Sequence, residues 1–344
     1  MTTATSGHAA TPAGAEHGLT PGSVARYAAS LRLTLVILLL LALGTVAALT
    51  QTVPPTWALS VPLALCALNL GAAMATNVAF RRQMPLLVFH LALLAIIVLV
   101  ATGRMTYLKG HVELSEGGVF DGALTGSASG PWHVSRLDRV RFANLGFEID
   151  YQPGIKRGST RNRVVWVDPE GVERQGTIGD TVPLMLQGYR FYTSFNKGFA
   201  PRFLWQPVTG AAERGTIHFP SYPIHEYGQA LEWTPPGSEL KLWTQLQFDE
   251  VLLDPERTSQ FRLPEHHKLV VRHGESRREL APGERLSLPG GVLQYEGLTT
   301  WMGYTVFYDW TIPWLLAACG LAVASLGLHF WTKFRSRPWD QAAG

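Results

Sequence analysis

The side chain in this sequence best placed to do chemistry is an imidazole in an apolar run. His90 sits six residues into a stretch that opens at Pro85, directly after Leu86-Leu87-Val88-Phe89. On a helix that is roughly 8–9 Å from the start, at about 1.5 Å per residue. Ionisable groups inside apolar spans are costly and are functional candidates for that reason. A neutral imidazole offers one nitrogen lone pair, which suits an axial ligand to haem iron. The competing reading is a neutral ring hydrogen-bonded to a neighbouring helix. His329 lies in the last apolar run, four residues before Lys333. It reads either as a snorkelling interfacial side chain or as a second ligand or gate near His90. Arg81 and Arg82 precede the His90 run. Two guanidinium groups there would attract carboxylates such as haem propionates, although a topology signal explains the same pair.

Little else in the sequence competes. His111, His133, His218, His225, His266, His267 and His273 are scattered between the third and fourth apolar runs. Glu265-His266-His267 is the densest cluster and reads as a solvated turn; His111 lies just past the end of the third run. Metalloprotease, P-loop, nucleophile-elbow and dinucleotide patterns are all missing, and no catalytic constellation is legible. Cys66 and Cys319 both fall inside apolar runs, where a lone cysteine is a small packing residue. No Cys-x-x-Cys or Cys-x-x-Cys-His occurs, so neither thiol redox chemistry nor covalent haem attachment is expected. A net charge of +3 and the lack of a basic, aromatic-interleaved stripe exclude nucleic acid as a partner.

The elements that must position His90 are apolar helices. Charged residues make up 16% of the chain, against about 25% in soluble proteins. A membrane crossing needs roughly 20 apolar residues, and four runs qualify, at about 33–49, 57–80, 85–102 and 311–332. Asn69 in the second reads as interhelical glue. Arg26 and Arg32 precede the first run, Arg81 and Arg82 separate the second from the third, and Lys333, Arg335 and Arg337 follow the fourth. All fall on one side if both termini are cytoplasmic. Residues 104–310 then lie outside, in the periplasm of a bacterium whose inner membrane carries the spans. Residues 1–30 read as a disordered cytoplasmic tail and 333–344 as a second tail. A cleaved leader is the alternative for the first run. The preceding tail is long for one, and the next run follows after about seven residues.

Segment 104–310 reads as β-structure. Val164-Val165-Trp166-Val167 ends at the turn Asp168-Pro169-Glu170-Gly171, and Leu242 to Phe248 alternates. The fold class is thus an integral membrane protein with four transmembrane α-helices, three plus one. One mainly-β extracytoplasmic domain lies between the third and the fourth. The order strand, charged turn, strand, aromatic strand occurs at 163–195 and again at 268–308. Two similar modules or the rhythm of a β-meander would both produce it. Gly198 to Pro235 is rich in Pro, Gly and aromatics and reads as a long loop.

Several stretches, in order, resemble one family. They are Ala29-Ser30-Leu31-Arg32-Leu33-Thr34, Ala67-Leu68-Asn69-Leu70, Leu86 to Leu94 with His90, Lys109-Gly110-His111-Val112-Glu113-Leu114-Ser115-Glu116-Gly117, and Val182 to Tyr192. Together with the three-plus-one layout they resemble the ResB family, also called Ccs1 or CcsB, of system II cytochrome c biogenesis. The resemblance implies a subunit of the cytochrome c synthetase that helps move haem across the membrane and present it to apocytochrome c. It implies a ResC/CcsA-like membrane partner and thiol-reducing partners in the same pathway. It also implies non-covalent haem shared with the partner, with His90 at the position of the family's third-span histidine. Two departures stand out. Tyr308-Asp309-Trp310-Thr311-Ile312-Pro313 replaces the usual Asp-Pro-Gly entry to the last span, and Thr332 to Arg337 replaces a His-Arg-Arg tail. The reading from another class is a structural or accessory anchor of a membrane redox complex, whose β-domain only binds a partner.

Overall fold

The computed structural model describes residues 21–335, apart from the side chains of residues 21–23, Arg81 and Tyr227. The described residues form two compact units, one from residues 21–104 and 311–335, the other from Met105–Trp310.

The first unit is helical: α1 (Pro21–Ala28), α2 (Leu31–Leu49), α3 (Pro55–Thr76), α4 (Val78–Arg82), α5 (Met84–Thr106) and α6 (Ile312–Arg335). By length and composition, α2, α3, α5 and α6 can each cross a membrane. Local chemistry moves the expected boundaries. Ser30 caps α2 by accepting from the Leu33 N–H at 3.3 Å, so the helix starts at Leu31. The second run, expected over 57–80, begins at Pro55 and stops at Thr76. Asn77 turns extended (φ −94°, ψ 115°), and its Oδ1 accepts from Ala79 N–H at 2.9 Å, capping a separate helix. The helices α5 and α6 run on to Thr106 and Arg335. The supposedly disordered 1–30 tail contains α1, while residues 1–20 and 336–344, with Arg337, lie outside the described residues.

Two devices join α2 to α3. Asn69 is buried, and its Nδ2 donates to the Ala28 carbonyl at 2.6 Å while its Oδ1 accepts from Thr34 Oγ1 at 2.7 Å. Pro62 lies inside α3 and has no N–H for the Ala58 carbonyl four residues back. A Cβ at Gly44 would collide with that carbonyl oxygen, so glycine lets the two backbones meet there.

The second unit is built from antiparallel strands: β1 (Leu108–Ser115), β2 (Val119–Phe120), β3 (Gly126–Ser129), β4 (Phe142–Gln152), β5 (Lys156–Val167), β6 (Glu173–Ile178), β7 (Leu184–Leu186) and β8 (Tyr189–Pro207). There follow β9 (Glu213–Thr216), β10 (Ala230–Trp233), β11 (Leu242–Gln247), β12 (Ser259–Gln260), β13 (Lys268–His273), β14 (Ser276–Leu280), β15 (Arg285–Leu288) and β16 (Gly291–Tyr308). They make three sheets. The spine is the long pair β8–β16, running from Tyr189 opposite Tyr308 to Pro207 opposite Gly291. One half of this ribbon, with Phe191, Tyr304 and Val306, packs on the β4–β5–β6 sheet through Phe142, Val164 and Ile178. The other half, with Phe203, Trp205, Leu293 and Tyr295, packs on the β11–β13–β14 sheet through Leu242, Leu246 and Val271.

The recurrence in the sequence therefore reflects two modules: β5-β6-β7-β8 and β13-β14-β15-β16 repeat the same order, and their last strands pair with each other. The expected loop over 198–235 is corrected. Its first ten residues continue β8, because Phe199, Phe203 and Trp205 fill the second core, and β9 and β10 lie further along.

Candidate functional site

His90 occupies the second turn of α5 and is half-buried. Its Nδ1 lies 2.8 Å from the Leu86 carbonyl oxygen one turn back. A carbonyl only accepts, so Nδ1 carries the proton and the neutral ring's lone pair sits on Nε2. The hydrogen bond goes to the histidine's own helix rather than to a neighbour, and among the described residues Nε2 has no hydrogen-bond partner. Two phenyl rings hold the imidazole edge-on, Phe89 at 5.2 Å and Phe80 at 4.6 Å between centroids. Phe80 reaches the ring because the chain breaks at Asn77; it belongs to α4, not to the end of a continuous second span. A fixed tautomer with a free Nε2 in an apolar surround is the donor that a haem iron takes. The residues present therefore fit one axial position.

The other expected members are less close. Arg82 is exposed on α4, two residues beyond Phe80, and the side chain of Arg81 lies outside the described residues. His329 is half-buried on α6, and its ring contact is with Phe330 of the same helix at 5.5 Å. No hydrogen bond or ring contact joins it to His90 among the described residues.

Residues 72–223 match the model of the ResB-like family. The matched stretch includes Phe80, Arg81, Arg82 and His90 and stops before α6 and His329. No curated protein matches the sequence. Among solved structures, a chain titled cytochrome c heme lyase CcmF aligns with 86% of this chain and 34% of its own length, at 15% identity and a TM-score of 0.26. The chain thus spans about a third of that chain's length.

The β-unit holds two polar clusters that the sequence did not announce. In the first, His218 Nε2 lies 2.9 Å from Ser115 Oγ and its Nδ1 lies 3.1 Å from Glu113 Oε2, with Trp301 stacked on the ring at 5.2 Å. Nucleophile, base and orienting carboxylate are aligned as in acyl transfer. The N–H groups of Glu116, Gly117 and Gly118, however, are all bonded to backbone carbonyls (Thr300, Asn144 and Ser115). That stretch has no donors left for an oxyanion. The cluster instead ties β1 to the irregular segment after β9. Glu113 and Ser115 share one face of a strand by their spacing of two, but the approach of His218 from a hundred residues away left no local mark in the sequence.

In the second cluster Lys197 is 2% exposed, in mid-ribbon opposite Met302. Its Nζ donates to the Phe195 carbonyl at 3.3 Å. Burial pushes its pKa down to about 8, the charge of Arg157 adds to the drop, and Asp180 opposes it. Burial also pushes the Asp180 carboxyl up, but hydrogen bonds from Arg157 at 2.7 Å and Thr193 at 2.9 Å outweigh it and hold the pKa below the ordinary value.

The His266-His267 turn needs one correction. His266 is exposed, but His267 turns inward and its Nε2 bonds the Tyr295 hydroxyl at 2.8 Å. No group of three or more His, Cys, Asp or Glu converges on a metal position among the described residues.

Proposed function

We propose that this ResB-like chain is a haem-handling subunit of a system II cytochrome c synthetase, with His90 as one axial ligand. The observation that carries the reading is the His90 tautomer: Nδ1–H is committed to the Leu86 carbonyl, so Nε2 is left as a donor. The Phe80 and Phe89 rings contact the imidazole edge-on. Arg82, with Arg81 beside it in sequence, supplies positive charge for the propionates on the side where α5 begins. When bound, haem supplies the iron and the groups that the cysteine thiols of an apocytochrome c take up. If haem is bound there, a second iron ligand would come from a ResC/CcsA-like partner or from His329.

In this reading both termini are cytoplasmic and the β-unit is periplasmic, where it braces the partner or receives apocytochrome c. The test is to purify the full chain with its multispan partner from haem-replete cells and quantify porphyrin per complex. About one haem per complex is expected. Porphyrin-free complex, together with normal cytochrome c maturation in a deletion strain, would leave the chain as an accessory anchor.

A further inference from the structure

The end of the β-unit from which both flanking helices leave carries an unusual surface. Leu108 and Tyr308, opposite each other in β1 and β16, are the strand residues next to α5 and α6. The loop after β3 is tied to this end: Trp132 N–H donates to the Met105 carbonyl at 2.8 Å, Gly130 N–H to the Tyr107 carbonyl at 2.9 Å, and His133 Nδ1 to the Thr106 carbonyl at 2.9 Å. Its position is therefore set by the last turn of α5. Even so, it presents Trp132 at 62% and Val134 at 77% exposure. An apolar pair so exposed marks an interaction surface. Arg136, Arg139 and Arg141 follow within seven residues, all exposed, with only Asp138 to offset them. Among the described residues none of the three forms an ion pair, and Arg141 only reaches the neighbouring Val140 carbonyl. Arg139 and Arg141 border an open groove beside Met185 and Gln187 of the β7–β8 hairpin. That hairpin's Gly188 abuts Tyr308, which places the groove at the same end.

We propose that residues 132–141 are a lipid-contact segment that binds acidic phospholipid of the chain's own membrane. Trp132 and Val134 enter the interfacial layer, where an amphipathic aromatic ring is favoured. The three arginines pair with headgroup phosphates. The occupant is lipid rather than protein because of chain continuity: the segment is hydrogen-bonded to Met105, Thr106 and Tyr107, at the end of a helix long and apolar enough to cross a membrane.

The test uses the full chain with Cys66 and Cys319 replaced by serine, labelled with bimane at Val134→Cys or, as a second reporter, Trp132→Cys. Val208→Cys, beside the opposite end of the β8–β16 ribbon, is the control. In nanodiscs containing brominated phosphatidylcholine, the label at 134 or 132 should be quenched at least severalfold more than the label at 208. Adding phosphatidylglycerol should deepen that quenching, and the Arg136→Gln, Arg139→Gln, Arg141→Gln variant should abolish the increment. Equal quenching at 134 and 208, or equal access of aqueous iodide to both, would overturn the proposal and hand the surface to water or a protein partner. Quenching that ignores phosphatidylglycerol in the unsubstituted chain would overturn the role of the arginines.

Discussion

Replacing Lys197 by methionine should stabilise the β-unit at neutral pH. The side chain is 2% exposed, so folding moves an ammonium out of water. Its pKa falls from 10.5 to about 8, equivalent to about 3 kcal/mol at about 1.36 kcal/mol per pH unit. For a base whose folded pKa is depressed, this penalty is complete below the folded value. It shrinks as pH rises towards the unfolded value of 10.5 and vanishes above it. Methionine forfeits the 3.3 Å hydrogen bond to the Phe195 carbonyl, a loss of about 1 kcal/mol. The expected net gain is therefore about 2 kcal/mol at pH 7, falling to near zero at pH 10. Urea unfolding of the detergent-purified chain, followed by tryptophan fluorescence at the two pH values, measures both. A destabilised variant at pH 7, or a gain that does not change with pH, would refute the reasoning and point to a used, rather than tolerated, lysine.

Other outcomes follow from named contacts. Asn69→Val removes the bonds to Ala28 and Thr34, leaving the Ala28 carbonyl without that donor while Thr34 keeps its bond to the Ser30 carbonyl; unfolding in a mixed-detergent titration should show a loss of about 1–2 kcal/mol. Gly44→Val drives a side chain into the Ala58 carbonyl, so the yield of folded, monodisperse protein should fall sharply, whereas Gly71→Val, which meets nothing, should leave it unchanged. The Asp180 carboxyl titrates below its ordinary value, so it stabilises the fold above the unfolded pKa and loses that contribution as pH falls through the folded one. Asp180→Asn should accordingly lose stability at pH 7 and approach the unsubstituted chain at pH 3.

The apolar helices were legible because a span is a local property: length and the lack of charge define it. The ends were less so. The stop at Thr76 depends on Asn77 switching from helix interior to cap, and apolar composition continues through Phe80 without marking the switch. His90 was legible for the same local reason, but its tautomer and the Phe80 contact were not, since both depend on backbone geometry. In the β-unit, alternation marked Leu242 to Gln247 plainly. The stretch after Gly198 reads as a loop because Pro201 and Pro207 look like breakers, while in the ribbon Pro201 pairs with Leu298 next to a register shift and Pro207 pairs with Gly291 at its end. The Ser115–His218–Glu113 link joins residues about a hundred positions apart, and only the folded chain brings them together.

The ligand role of His90 is tested most directly by an absorption spectrum of the full chain purified with its partner, as the native sequence and as His90→Ala, without and with added imidazole. Haem bands are expected in the native complex, with their loss or shift to a high-spin form in the variant and their return when free imidazole occupies the vacated position. Identical spectra for native and variant complexes would contradict that role, because the iron would then be held without the His90 Nε2.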